Sequence, residues 1–220
     1  MGRLRVGQCT SKDLNEIRKL IIGNPECPPT SFQTYPWSDA ILVTTRHAVR
    51  EAWNTASLNL HCHRTEHLKY IVPTEDYIKG PNPRSLTPIA RLLVAGRGEK
   101  LTGKLGDRLE LAIGMKVIVL LNLLTEADIA NGTRGMIQDI VLDHREGRLL
   151  ADDNGIVKLT YPPAMIVFKP NMRSNISSAF QDNRPGQSLV APEGHVPIIL
   201  SSTTFKIKTP DAQDLTIVRR

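Results

Sequence analysis

Three short stretches carry residue types at spacings that can do chemistry. The first is "GEKLTGKL", Gly98 to Leu105. It nearly matches the phosphate-binding pattern G-x-x-x-x-G-K-[ST], in which backbone N–H groups and the lysine cradle phosphates and the final hydroxyl holds Mg²⁺. Here Leu105 takes the hydroxyl position, and a β pattern follows where the loop would open a helix. The expected reading is a basic linker. The second stretch is "HCHRTEH", with His61, Cys62, His63 and His67 within seven residues. Zinc accepts such ligands, but no second ligand pair accompanies them and Cys9 and Cys27 form no C-x-x-C. A polar helix end is expected, with no metal. The third is Asn131-Gly132-Thr133-Arg134, which follows the apolar run Val117 to Leu121. Asn-Gly tolerates positive φ and marks a hairpin turn, which predicts a core strand on each side. The turn sets Thr133 and Arg134 at a strand start. Threonine hydroxyls, backbone N–H groups and arginine are phosphate-contacting groups that read no base sequence.

Other catalytic sets are absent. There is no G-x-S-x-G and no H-E-x-x-H. Asp143 reads as a charged turn after a strand rather than a Mg²⁺ ligand. Asp152-Asp153-Asn154-Gly155 reads as a turn, since the later ligands of a calcium loop are missing. No catalytic residue is assigned.

The elements that must position these residues fall into two patterns. Residues 12–22 have helical spacing, with Ser11 as N-cap and Gly23 and Pro25 as the stop. "AILVTT" at 40–45 reads as a buried strand feeding a helix with apolar positions 48, 49, 52, 53, 56 and 60, half of a βαβ unit. Thr44, Thr45, Arg46 and His47 then lie on a strand-to-helix turn, where α/β folds bind ligands. Residues 81–104 read as a Pro/Gly/basic linker with helical tendency at 86–95. From Leu109 onward, short strands are expected at 109–112, 115–122, 134–142, 147–151, 156–160, 164–168, 196–200, 203–208 and 214–218, the spacing of a small barrel or sandwich. The expected fold class is α/β with a β-rich second part.

Charge follows the same division. The 220 residues carry a formal net charge of +6. Residues 1–104 hold 15 Lys+Arg against 9 Asp+Glu, and residues 105–220 hold 13 against 13. A basic first half suggests a polyanionic partner. The longest unbroken apolar runs, such as Val117 to Leu121, are far short of the roughly 18 residues of a membrane span. The N-terminus lacks a signal-peptide core. Three cysteines make no disulfide framework, which fits a reducing compartment such as nucleus or cytosol. A soluble, intracellular protein is expected, with no membrane partner.

The sequence also resembles a known family. "LELAIGMKVIVLLNL…ANGTRGMIQDI" is similar to the segment of PIF-type DNA helicases of superfamily one in which an apolar strand leads to an "NGTR" turn. "WSDAILVTTRHAVREAWN" resembles motif IV, at the start of the second RecA-like domain of these helicases. "YPPAMIVFKP" and "GHVPIILSSTTFKIK" resemble the strands that follow, including the return toward that domain. The match runs through most of residues 35–218, in the right order, and looks most like the helicases of Helitron-type transposons.

The resemblance implies a partial RecA-like domain at 1–104, then a small SH3-like β barrel with return strands at 105–220. It implies ATP-driven 5′-to-3′ movement on single-stranded DNA with Mg²⁺, and roles in repair, recombination, telomere maintenance or transposition. DNA contacts would come from Asn131, Gly132, Thr133, Arg134, Thr44 and His47, with Arg46 facing the nucleotide cleft. The sequence holds no Walker A loop and no Asp-Glu Walker B pair. The "AYA.T.HKSQG" segment and the arginine that reaches the γ-phosphate in the family are not in it. Phosphoryl transfer needs both the cradle and that arginine. The expectation is a helicase fragment that binds neither ATP nor Mg²⁺ tightly, does not hydrolyse ATP alone, and partners single-stranded DNA and a missing helicase half or another chain. The alternative is a β module that binds another protein.

Overall fold

Alternation of apolar and polar residues every second position lets a strand bury one face and solvate the other. That pattern dominates the second half of the sequence. In the computed structural model, residues 2–19, 21, 23–26, 31–35, 37–97, 106–123, 125, 128–171, 192 and 194–220 are described. The phosphate-loop-like stretch Gly98 to Leu105 lies outside the described residues, as does Cys27. The described chain has mixed α/β content in several sheets and is mostly strands. It divides into two compact units, Met1–Trp53 and Asn54–Arg220.

The first unit holds α1 (Gly2–Arg5), α2 (Ser11–Arg18) and a 3₁₀ turn at Trp37–Asp39. Thr10, not Ser11, caps α2: its hydroxyl accepts from Asp13 N–H while the Asp13 carboxylate accepts from Thr10 N–H, a reciprocal capping box. Helix α3 (His47–Thr65) begins in this unit. Residues 40–45 form no strand, contrary to the sequence expectation, and Val43 is 92% exposed. A β conformation needs a ladder partner, and no strand is present among the described residues of this unit. Nor is the α3 stripe at 48, 49, 52, 53, 56 and 60 a buried face. The one buried side chain of the helix is Leu58.

Among the described residues, the second unit holds α4 (Pro88–Ala95) and eleven strands. These are β1 (Lys69–Pro73), β2 (Asp76–Ile78), β3 (Arg84–Ser85), β4 (Arg108–Leu111), β5 (Lys116–Ile118), β6 (Arg134–Val141), β7 (Ile156–Lys158), β8 (Met165–Pro170), β9 (Val196–Ile199), β10 (Thr203–Lys208) and β11 (Asp214–Arg219). They form three sheets, ordered β4-β1-β7, β10-β11-β2-β3 and β5-β6-β8-β9. Among the described residues, every pairing of these strands is antiparallel except β1 with β7. The expected strand at 147–151 is reduced to a single bridge, Ala151 to Val157.

Three apolar clusters hold the unit together. Val72, Leu111 and Val157 from the first sheet pack with Ile137 and Ile140 of β6. Leu86, Ala90 and Val94 on and beside α4 cover Phe205, Ile207 and Ile217 of β10 and β11. Val119, Ile129, Phe168 and Val196 form the third cluster, which underlies the turn at 131–134.

A polar network adds to these. Glu75 takes Arg220 at 2.9 Å and Arg145 at 3.4 Å, and Arg145 also binds Asp143 and lies over the Tyr161 ring. Asp143 is thereby engaged by an arginine rather than exposed for a metal. Burial raises the Glu75 carboxyl, but hydrogen bonds from Arg220 and Arg145 outweigh it and hold the group below its ordinary value. The Arg145 hydrogen bonds hold the Asp143 carboxyl well below its ordinary value too. A carboxylate whose folded value is depressed contributes stability above its unfolded value, near 4.3 for Glu, and loses it as pH falls through the folded value. The urea midpoint is therefore expected to drop as pH falls from 5 to 3. Glu75→Gln should lower stability at pH 7 and flatten that drop, and an unchanged acid limb in the variant would remove Glu75 from this role.

Candidate nucleic-acid interface

Residues Asn131 to Arg134 sit where the chain enters β6. The strand before them, β5, ends at Ile118, which pairs with Arg134. The Asn-Gly turn is thus not a two-residue hairpin. It closes a longer excursion between the paired strands. Only part of the apolar run is core: Val119 is 8% exposed, whereas Leu120 and Leu121 are each 70% exposed. Beyond Val119, whose backbone still bonds to Gly132 and Thr133, alternation no longer dictates burial, and the following leucines leave the sheet.

The turn is knit by its own polar groups. Gly132 N–H donates to Val119 O at 2.8 Å, and Val119 N–H donates to Thr133 O at 2.9 Å. Thr133 N–H donates to Ala130 O at 3.0 Å. Asn131 N–H donates to the Asn122 side-chain oxygen at 3.0 Å. The Thr133 hydroxyl accepts from Ala130 N–H at 3.1 Å and donates to Asp128 O at 3.2 Å, and the residue is 8% exposed. Backbone donors at 131–133 and the Thr133 hydroxyl are therefore engaged inside the turn. What faces outward is the side chains of Asn131 and Arg134, both on exposed residues.

Two glycines permit this shape for different reasons. Gly132 has φ +97°, a left-handed conformation that favours glycine, with open space where a Cβ would lie. Gly135 is needed for room: a Cβ there would lie within 2.5 Å of Phe168 Cε2 and nearer still to the Lys169 carbonyl oxygen. The glycine lets the buried Phe168 ring lie across β6 and floor the turn.

Thr44, Arg46 and His47 lie in the first unit, the turn in the second. Thr44 is half-buried and its hydroxyl accepts from Arg46 N–H at 3.2 Å, which shapes the entry to α3. Arg46 O accepts from Arg50 N–H, so Arg46 is the residue that caps the helix, and His47 opens it. Both side chains belong to exposed residues.

No family model matches the chain, and no curated protein does. Among solved structures, the crystal structure of Pif1 helicase from Candida albicans is similar at 14% identity with a TM-score of 0.38, over 100% of this chain and 40% of that one. This chain thus spans less than half of that helicase's length.

The histidine-rich stretch has a local role. His61 Nε2 and His67 Nδ1 each lie 2.9 Å from Ile113 O, with ring centroids 5.9 Å apart. They pin the end of α3 to the loop before β5. Among the described residues, no group of three or more His, Cys, Asp or Glu is placed to hold a metal ion. No described helix is long and apolar enough to cross a membrane. Sequence reasoning missed Asn122 and Asp128, which hold the turn. The signal for Asn122 was its polar side chain amid leucines. Asp128, at φ +60°, had none, because it contributes only its carbonyl.

Proposed function

We propose that this chain is part of a PIF-type superfamily one DNA helicase: a portion of the second RecA-like domain with an SH3-like β barrel, contributing contacts to the single-stranded DNA backbone. The observation that carries the reading is the self-bonded turn at Asn131–Arg134, which holds the Arg134 guanidinium exposed at the start of β6. Sequence resemblance in this segment, in motif IV and in the later strands supports it. So does the pairing of β11 with β2, which brings strands from both ends of the second unit into one sheet under α4. In this reading Arg134 and Asn131 touch phosphate, while Gly132 and Thr133 hold them in place. Thr44 and His47 add contacts and Arg46 faces the nucleotide cleft. ATP and Mg²⁺ serve the whole helicase; this chain, without Walker A and B residues, does not hydrolyse ATP alone and works with the missing half or another chain.

Arg134→Ala should weaken binding of single-stranded DNA about equally for all sequences and reduce the slope of log affinity against log salt by roughly 0.7 to 1. Fluorescence anisotropy with labelled oligonucleotides of different sequence checks this. An unchanged slope would refute the assignment.

A second reading is favoured by one observation: Leu120, Leu121 and Leu123 are 70%, 70% and 44% exposed in succession before the turn. Such a patch suits a module that binds another protein. Salt separates the two, because phosphate contacts weaken steeply with salt and apolar contacts do not.

A further inference from the structure

Large aromatic rings are costly to leave in water, and a group of them on an unburied surface marks an interaction site. Both tryptophans of the chain lie in the first unit, and a phenylalanine joins them there. The Phe32 ring lies 5.9 Å from that of Trp37 and 5.7 Å from that of Trp53, centroid to centroid, at interplanar angles of 72° and 73°. Both contacts are edge-to-face. Such a contact covers at most one ring face, whereas a stacked contact covers two. Phe32 is 42% exposed and both tryptophans are half-buried. Tyr35, two residues before Trp37, is 85% exposed. No described residue of the first unit is buried, so these rings are not the inside of a closed core.

Short-range backbone bonds hold the rings in place. Thr34 N–H donates to Ser31 O at 3.3 Å, Ser38 N–H to Thr34 O at 2.9 Å and Ala40 N–H to Trp37 O at 3.1 Å. These turns present Phe32, Tyr35 and Trp37, and α3 supplies Trp53. The charge beside the rings indicates what covers them. Arg50 lies three residues before Trp53 on α3, hence on the same face, and is exposed. It stands 3.9 Å from Glu51, an exposed pair of the kind that contributes little. The first turn of α3 holds no acidic residue, and the exposed Arg46 adds to the positive potential at a helix end that already favours anions. Cations beside open rings are the combination that holds single strands, with phosphates on the cations and bases on the rings.

We propose that Phe32, Tyr35, Trp37 and Trp53 form a base-stacking platform for single-stranded nucleic acid, with Arg50 taking a neighbouring phosphate. The inference rests on the DNA-contact reading above and adds contact to bases, which the turn at Asn131–Arg134 does not offer. Every base has a π-face, so the platform accepts any base sequence.

The test compares an oligothymidylate with an abasic strand of the same length and label, which keeps the phosphates and lacks the bases. Anisotropy reads affinity. Tryptophan emission reports the platform, because both tryptophans belong to it. The native chain should bind oligothymidylate about tenfold more tightly than the abasic strand, as the stacking of one base gives. Oligothymidylate should quench the tryptophans and the abasic strand should not. Tyr35→Ala and Phe32→Leu should each reduce that preference and leave affinity for the abasic strand unchanged. Tyr35 is exposed enough that its loss spares the packing, and the urea midpoint confirms that Phe32→Leu keeps the fold. Equal binding of the two strands without quenching would overturn the platform and leave the DNA-contact reading intact. A preference that survives in both variants would overturn the assignment to these rings. Quenching by an oligoproline, with none by oligothymidylate, would overturn it in favour of a Pro-rich peptide, which also docks on aromatic surfaces. No binding of either strand by the native chain would overturn the platform and that reading together.

Discussion

Arg219→Met is expected to lower the unfolding free energy by about 3 kcal/mol, the usual cost of leaving one member of a buried ion pair alone. For a chain of this size, that is a fall in Tm of roughly 6–12 °C. Arg219 is 2% exposed at the end of β11. Its Nε and Nη2 donate to the two Asp76 oxygens at 2.8 Å each, and Nη1 donates to Asp107 at 2.8 Å. One guanidinium thus ties β11 to β2 and to the segment entering β4. Its planar fork matches the carboxylate in a way lysine does not. Methionine keeps the stem's contact with the core but leaves Asp76, whose side chain is 17% exposed, without its partner. Asp107 is 60% exposed and returns to water. Adding Asp76→Asn should recover part of the loss. Urea denaturation of the single and double variants checks both statements, and a loss below 1 kcal/mol for Arg219→Met would show that the pair does not organise this sheet.

Gly135→Ala is expected to cost about 3 kcal/mol, at the upper end for one added methyl. The new Cβ would overlap the Lys169 carbonyl in the ladder between β6 and β8, and the ring of Phe168, which is fully buried. Neither can yield cheaply: one is backbone in a sheet interior, and the other floors the turn. The same variant should weaken DNA binding at temperatures where it is still folded, because the displaced β6 carries Arg134. Gly132→Ala meets open space and acts only through its positive φ, so its cost is expected to be about 1 kcal/mol. Thermal denaturation ranks the two, and a reversed order would contradict the distinction between a glycine kept for room and one kept for conformation.

The sequence was most legible where period-two alternation coincided with a pairing partner. The strands expected at 109–112, 134–142, 164–168, 203–208 and 214–218 appear within a residue or two of those bounds. The helical tendency at 86–95 resolves into α4, with Thr87 as N-cap and Pro88 at its first position. Apolarity without a partner misled twice. Residues 40–45 and Leu120-Leu121 have strand-like composition, but no ladder reaches them, and they are irregular. At the turn, the sequence shows residue types but not the directions of their polar groups. Thr133 looks like a phosphate donor until its hydroxyl is seen donating to Asp128 O. Phe32 and Trp53 are distant in sequence and meet only in the folded chain. No local pattern encodes that.

The most direct test of the account is the binding of native chain to a labelled single-stranded oligonucleotide, followed by anisotropy from low to physiological salt. Binding at low salt is expected, weakening steeply with added salt and similarly for different base sequences. A folded sample that fails to bind at low salt, or whose binding does not change with salt, would contradict it.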